Sequence, residues 1–140
     1  MTLTLAETRD IATCQHLRRV VFIEEQGVSV EDEVDGRDEE ARHLLALWDG
    51  QPVGTARLLT EGGVGKIGRV CVLPQARGKH VGQALIRHAV EAFRATPGIG
   101  KVKLGAQTHA MGFYAALGFE AVGEVYMDAG IPHRDMVMAL

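Results

Sequence analysis

Val70-Cys71-Val72-Leu73-Pro74-Gln75-Ala76-Arg77-Gly78-Lys79-His80-Val81-Gly82 runs from an apolar segment through a cationic, glycine-containing turn into a helix. Val70 and Val72 fall on one face of a strand. Pro74, which cannot donate to a sheet ladder, stops that strand. Beyond the turn, Val81, Ala84, Leu85, His88 and Ala92 recur at helical spacing. Gln83, Arg87, Glu91 and Arg94 turn outward, and Pro97-Gly98 breaks the helix. The first turn of a helix presents unpaired backbone N–H groups and the positive end of its dipole, a combination that binds anions and above all phosphate. Glycine allows close approach to the backbone, and Arg77 and Lys79 add charge. The stretch is neither a P-loop nor a dinucleotide fingerprint, because both glycine spacings fail. On these residues alone, a plain strand-to-helix turn accounts for it as well as a phosphate site does.

Working outward, the chain alternates strands and helices. Thr2–Leu5 reads as a short strand. Ile11, Cys14, Leu17 and Val21 form a helical stripe after candidate caps Thr8 and Asp10. His43–Trp48 and Val53–Leu59 flank Asp49-Gly50, a hairpin signal. A glycine cluster at Gly62, Gly63 and Gly65 leads into a third strand, Lys66–Leu73. After the long helix come a short strand at Val102–Ala106 and a helix at His109–Leu117 with Gly118 as its C-cap. Closing strands are expected near Phe119–Tyr126 and Asp135–Ala139. This order predicts an α+β class, a mixed α/β sheet with helices packed on it.

Length and composition bound the rest. The chain has 140 residues, the size of one domain spanning 1–140. Its hydrophobic fraction of 46% and charged fraction of 24% exclude disorder, collagen and coiled coil as descriptions of the whole. No apolar run approaches the roughly 20 residues that cross a bilayer, and no signal-peptide pattern opens the chain, so a cytoplasmic protein is expected. Cys14 and Cys71 have no metal-ligand spacing, nor do the six histidines, so no metal is expected. Glu24–Glu40 is acidic, with Arg37 its one base, while the remainder is basic. Such a strip either attracts a cation or is a solvated loop. A pI near 6.0 and 5% aromatics argue against nucleic acid.

The chain resembles the GNAT superfamily of N-acetyltransferases. Their pyrophosphate loop reads Q/R-x-x-G-x-G/A after a strand. Arg77 takes its first place, Val81 the fifth and Gly82 the last, while His80 stands where glycine is usual. A residue with a Cβ is tolerated at that place if the position has helical dihedrals. A second family pattern, N-x-x-A-x-x-(L/F)-Y-x-x-L-G-F, matches Gln107 to Phe119 with Ala110, Tyr114, Leu117 and Gly118 in place. Gln107 replaces Asn and keeps an amide. The likeness tightens to an ElaA-like and YjcF-like subgroup through Arg18/Arg19-x-Val-Phe22, Glu25-Gln26, Asp35-Gly36-x-Asp38, His43, Arg57, Lys66-Ile67-Gly68-Arg69, Ala106-Gln107 and Ala129-Gly130-Ile131-Pro132-His133.

The resemblance implies a mostly antiparallel sheet of about six or seven strands with about four helices. It also implies direct acetyl transfer from acetyl-CoA to an amine of a small molecule or peptide. The backbone of Gly78, Lys79, His80, Val81 and Gly82 would hold the pyrophosphate, with charge from Arg77 and Lys79. Backbone at Val70, Cys71 and Val72 would pair with the pantetheine arm, and Gln107 would lie beside it. Tyr114 matches the family's general acid. The base is Glu25, Glu24, His43, His133 or a water held by one of them, with Glu25 and His133 in subgroup-matching segments. His16, His88 and His109 read as structural. A covalent route through Cys71 is a weaker alternative. The acidic strip favours a cationic acceptor. A non-catalytic acyl-CoA sensor or interaction module on the same fold is the rival reading, and exposed strands leave a homodimer open.

Overall fold

The structure, a computed structural model, describes residues 2–140. Seven strands form one sheet, β1 (Leu3–Thr8), β2 (Arg42–Trp48), β3 (Gln51–Glu61), β4 (Val64–Val72), β5 (Lys101–Gln107), β6 (Glu120–Asp128) and β7 (Ile131–Ala139). Their order across the sheet is β1-β2-β3-β4-β5-β7-β6. Four α-helices accompany them, α1 (Ile11–Arg18), α2 (Val30–Glu33), α3 (Val81–Arg94) and α4 (Met111–Ala116). Every neighbouring pair is antiparallel except β4 and β5, which α3 joins as a crossover. The expected mixed α+β architecture is the one observed. No helix among the described residues is long and apolar enough to cross a membrane.

Local chemistry sets the connections. Three hairpins turn on two residues at positive φ, Asp49-Gly50, Gly62-Gly63 and Ala129-Gly130. That geometry matches the right-handed twist of the flanking strands. The Asp10 carboxylate accepts from the Thr13 N–H at 3.2 Å and starts α1. Thr8 instead ends β1, paired with His43, so the first strand runs further than its alternation suggested. β7 likewise begins at Ile131, inside what read as a turn. Pro132 is accommodated there because β5 ends at Gln107, opposite His133, and asks no hydrogen bond of it.

The larger core lies between α3 and one face of the sheet. α3 buries Val81, Leu85, Ile86, Ala89, Val90 and Phe93. This arc is rotated from the one read in the sequence, and His88 stands exposed at its rim. Strand glycines let the helix sit close, since a Cβ on Gly65 would lie 2.5 Å from the Phe93 ring. On the opposite face, Leu17 and Val21 pack on Cys71, flanked by Phe22, Leu45 and Leu73. After Arg18 the first helix widens into a π-helical segment, Arg19–Glu25.

The topology leaves one gap. The parallel β4–β5 ladder stops at Ile67 opposite Leu104. A bulge in the β3–β4 ladder, between Thr55 and Arg57, falls beside this point. From Gly68 to Val72 the β5-facing edge of β4 has no strand partner, and the two strands part.

Candidate active site

A cleft of about 990 Å³ opens where β4 and β5 diverge. One wall is the end of β4, the following turn and the start of α3. The other is formed by β5, β7 and β6, with the π-helical segment and α4 closing the ends. Twelve residues named from the sequence line it, Glu25, Val70, Cys71, Val72, Arg77, Gly78, His80, Val81, Gly82, Gln107, Tyr114 and His133.

On the loop wall, Gly78 has φ +78. His80 has φ 63 and ψ 21 and is the N-cap of α3, with no hydrogen bond from its side chain. The helical dihedrals that would make a Cβ easy at His80 are therefore absent. The position is left-handed, which explains why glycine is usual there, and histidine is among the few other residues that tolerate it. The first N–H groups of α3 have no partner within the helix and face the cleft. A Cβ at Gly82 would stand in ordinary van der Waals contact with Phe113 at 3.6 Å and Val72 at 3.8 Å. The chain's own packing therefore tolerates a methyl group there, and Gly82 lines the cleft. An open backbone cradle of this kind fits the pyrophosphate of a coenzyme A thioester.

Two charged groups depart from expectation. Lys79 is not in the cleft wall; its ammonium lies 5.3 Å from the Trp48 ring centroid, a cation–π contact on the far side of the turn. Arg77 donates from Nη1 and Nη2 to the two Glu25 carboxylate oxygens, both at 2.6 Å, and from Nε to the Val72 carbonyl at 3.0 Å. These Arg77 hydrogen bonds hold the Glu25 carboxyl below its ordinary pKa.

Tyr114 sits between the two walls. Phe113 and Phe119 meet its ring edge-on, with centroids 5.0 and 6.1 Å away. Burial pushes its hydroxyl pKa up to about 12, so it keeps its proton near neutral pH. The Cys71 thiol is also pushed up by burial, to about 12, which makes it a poor nucleophile. His133 Nδ1 lies 2.7 Å from the Ile131 carbonyl. A carbonyl only accepts, so Nδ1 carries the hydrogen and Nε2 of the neutral ring is bare. Gln107 donates to the Gln26 side-chain carbonyl at 3.1 Å, linking the end of β5 to the end of the π-helical segment.

On the β4 side of the cleft lies a buried ion network that joins α1 and α2 to β3 and β4. Arg18, 1% exposed, donates to Glu33 at 2.6 Å and to both Asp38 oxygens at 2.9 and 2.8 Å. Arg57 grips both Asp35 oxygens at 2.8 and 2.7 Å. Arg69 Nη2 reaches the Glu33 carbonyl at 3.1 Å and Asp35 at 3.3 Å. Hydrogen bonds from Arg57 hold the Asp35 carboxyl far below its usual range. At Asp38 burial opposes ionisation, but Arg18 and Gln15 outweigh it and the pKa falls as well. Within the acidic segment Glu33, Asp35 and Asp38 are thus not free to trap a cation, since arginines neutralise them, whereas Glu24, Glu31, Asp32 and Glu39 are exposed.

The acetyltransferase (GNAT) domain family matches residues 18–140. The chain belongs to the GNAT acetyltransferase family. Among GNAT relatives, YjcF of Bacillus subtilis, itself an uncharacterized N-acetyltransferase, is 39% identical over 87% of this chain and 87% of its own length. The protein ElaA of Escherichia coli is 38% identical over 86% of this chain and 81% of its own. The crystal structure of an acyl-CoA N-acyltransferase from Pseudomonas aeruginosa superposes with a TM-score of 0.85 and 35% identity, covering 99% of both chains. The ElaA-like and YjcF-like subgroup is therefore the right one for this GNAT chain.

The GNAT cleft also sorts the remaining candidates. His43 is buried outside it, with Nε2 2.8 Å from the Asp38 carbonyl. Glu24 pairs with Arg19 at 3.6 Å, also outside. His16 and His88 are exposed surface residues rather than core, and His109 is exposed but lines the cleft. Sequence reading missed Gly105, Tyr126 and Asp128, all in the lining, and gave no role to Arg69 of the subgroup-matching Lys66–Arg69 piece. No motif marks the first three; strand register alone brings them there.

Proposed function

We propose that the chain transfers the acetyl group of acetyl-CoA directly to a primary amine of a small molecule or peptide. The observation that carries this is a proton-bearing Tyr114 hydroxyl in the same cleft as an open, glycine-lined helix N-terminus. The N–H groups around Gly78–Gly82 bind the pyrophosphate, and Arg77 joins them by exchanging or sharing Glu25. The free edge of β4 at Val70–Val72 pairs with the amides of the pantetheine arm in the manner of an added strand. A backbone N–H there also stabilises the oxygen of the carbonyl under attack. Acetyl-CoA supplies an activated acyl group as its thioester. Tyr114 protonates the departing thiolate.

The acceptor amine must lose a proton before it attacks, because its pKa is near 10. His133 suits this task, since its bare Nε2 is available at the cleft. Glu25 is a weaker base while Arg77 holds it. The acid and base lie on different elements, α4 and β7, which leaves the amine room between them. Asp32 and Asp128, lining carboxylates in no ion pair among the described residues, support a cationic acceptor.

The test is acetyl-CoA-dependent thiol release across polyamines, amino sugars, amino acids and short peptides. Release with one class, with mass spectrometry showing acetylated amine, is expected. Acetyl-CoA binding without release from any acceptor contradicts the proposal and favours the sensor reading.

A further inference from the structure

We propose that Tyr126 is a positioning residue that holds the His133 imidazole in its productive orientation. The proposal rests on the reading of His133 as the base. Tyr126 and His133 are direct cross-strand partners on β6 and β7. Their rings stack with centroids 5.9 Å apart and planes 21° from parallel. Stacking fixes one face of the imidazole while the Ile131 carbonyl fixes Nδ1. Together they leave Nε2 as the only free ring nitrogen. A flexible imidazole would exchange tautomers and hide that lone pair.

The chain goes to some length to put Tyr126 there. Val122 pairs with Asp135, yet Tyr126 rather than Glu124 pairs with His133, because β6 is bulged between them. Gly123 lies in that bulge at φ +73, and Arg134 Nε donates to its carbonyl at 2.9 Å. The bulge replaces a carboxylate with an aromatic ring beside the histidine. The Tyr126 hydroxyl then reaches along β7 and donates to Asp135 at 2.7 Å. Asp135 is the next residue after His133 on that face. Asp135 is itself tied to Lys103 at 3.3 Å. Opposite Asp135 stands Gly105, where a Cβ would fall 2.5 Å from the Tyr126 oxygen. Gly105 is therefore the residue that makes room for the hydroxyl.

Two readouts test this, kcat against KM and the His133 tautomer seen by long-range ¹H–¹⁵N correlation of its ring. The wild type is expected to show the Nδ1–H tautomer. Tyr126→Leu and Gly105→Ala should each give a mixture of tautomers. Each should lower kcat about 10-fold, a fraction of what a general base supplies, with KM for acetyl-CoA within about 2-fold. Tyr126→Phe keeps the stack, loses the Asp135 bond and should fall in between. An unchanged tautomer and an unchanged kcat in both Tyr126→Leu and Gly105→Ala overturn the proposal. His133→Ala separates the two claims. It should lower kcat at least about 100-fold. If it does not, the base assignment fails, while the tautomer measurement still decides whether Tyr126 orients the ring.

Discussion

On the loop wall of the cleft, the groups that face inward are mostly backbone. They are N–H groups at the start of α3, the edge of β4, and the bare backbone of Gly82. On the strand wall they are side chains, His133, Tyr126 and Gln107, in one row across β7, β6 and β5. Backbone recognition needs only a turn and a few glycines close together in sequence, and it suits a ligand part that never changes. Side-chain recognition needs distant segments brought into register, and it can be altered for each acceptor without disturbing the donor's cradle. On the β4 side of the cleft, the arginine–carboxylate network ties α1, α2 and the loop after α2 to β3 and β4.

The largest effect is expected where side chains from distant segments meet in that network. Arg18→Ala leaves Glu33, only 4% exposed, and Asp38 without their main cation. Losing one partner of such a pair should cost about 3–5 kcal/mol, read from urea denaturation. A loss under about 1 kcal/mol would mean that the network is not what holds α1 and α2 to β3 and β4. Acid should act on the same network. Asp35 and Asp38 have depressed pKa values in the folded state. Their contribution is thus fully present above the unfolded value near 3.9 and is lost as pH falls toward the folded values. Denaturation midpoints should hold from pH 7 to about 5 and drop below about 4. Asp38→Asn should make that drop shallower.

The loop wall should respond in affinity rather than stability. Gly82→Val fills the cradle and should weaken acetyl-CoA binding at least 10-fold by calorimetry, an effect of about 1.4 kcal/mol. Its thermal stability should change less, since a Cβ at Gly82 meets Phe113 and Val72 only at ordinary contact distance. Equal losses in both would show that the glycine serves packing. The smallest effect is expected at His80. His80→Gly relieves the left-handed strain but adds freedom to the unfolded chain, for a net gain of about 0.5 kcal/mol.

The same contrast explains what could be read in advance. The strand, turn and α3 were legible because their signals are contiguous, as were Gln107 to Phe119. Tyr114 and Gly82 could be named from local spacing. His80 could not be assigned its dihedrals, because a histidine says nothing of φ when its neighbours do not. Lys79 looked like a phosphate ligand because no local signal points to Trp48, a residue on β2. Arg18 joins carboxylates 15 and 20 positions away, a link no periodicity carries. Tyr126 depends on a bulge that shifts its register, and alternation alone would have placed Glu124 there instead.

In the proposed mechanism Tyr114 supplies the proton to the leaving thiolate, in a cleft that binds acetyl-CoA independently of it. The direct measurement is kcat and acetyl-CoA Kd for the wild type and Tyr114→Phe, with whichever amine supports turnover. A fall in kcat of about 100-fold or more, with Kd within about 3-fold, is the predicted result. An unchanged kcat, or a loss that lies wholly in Kd, would contradict it.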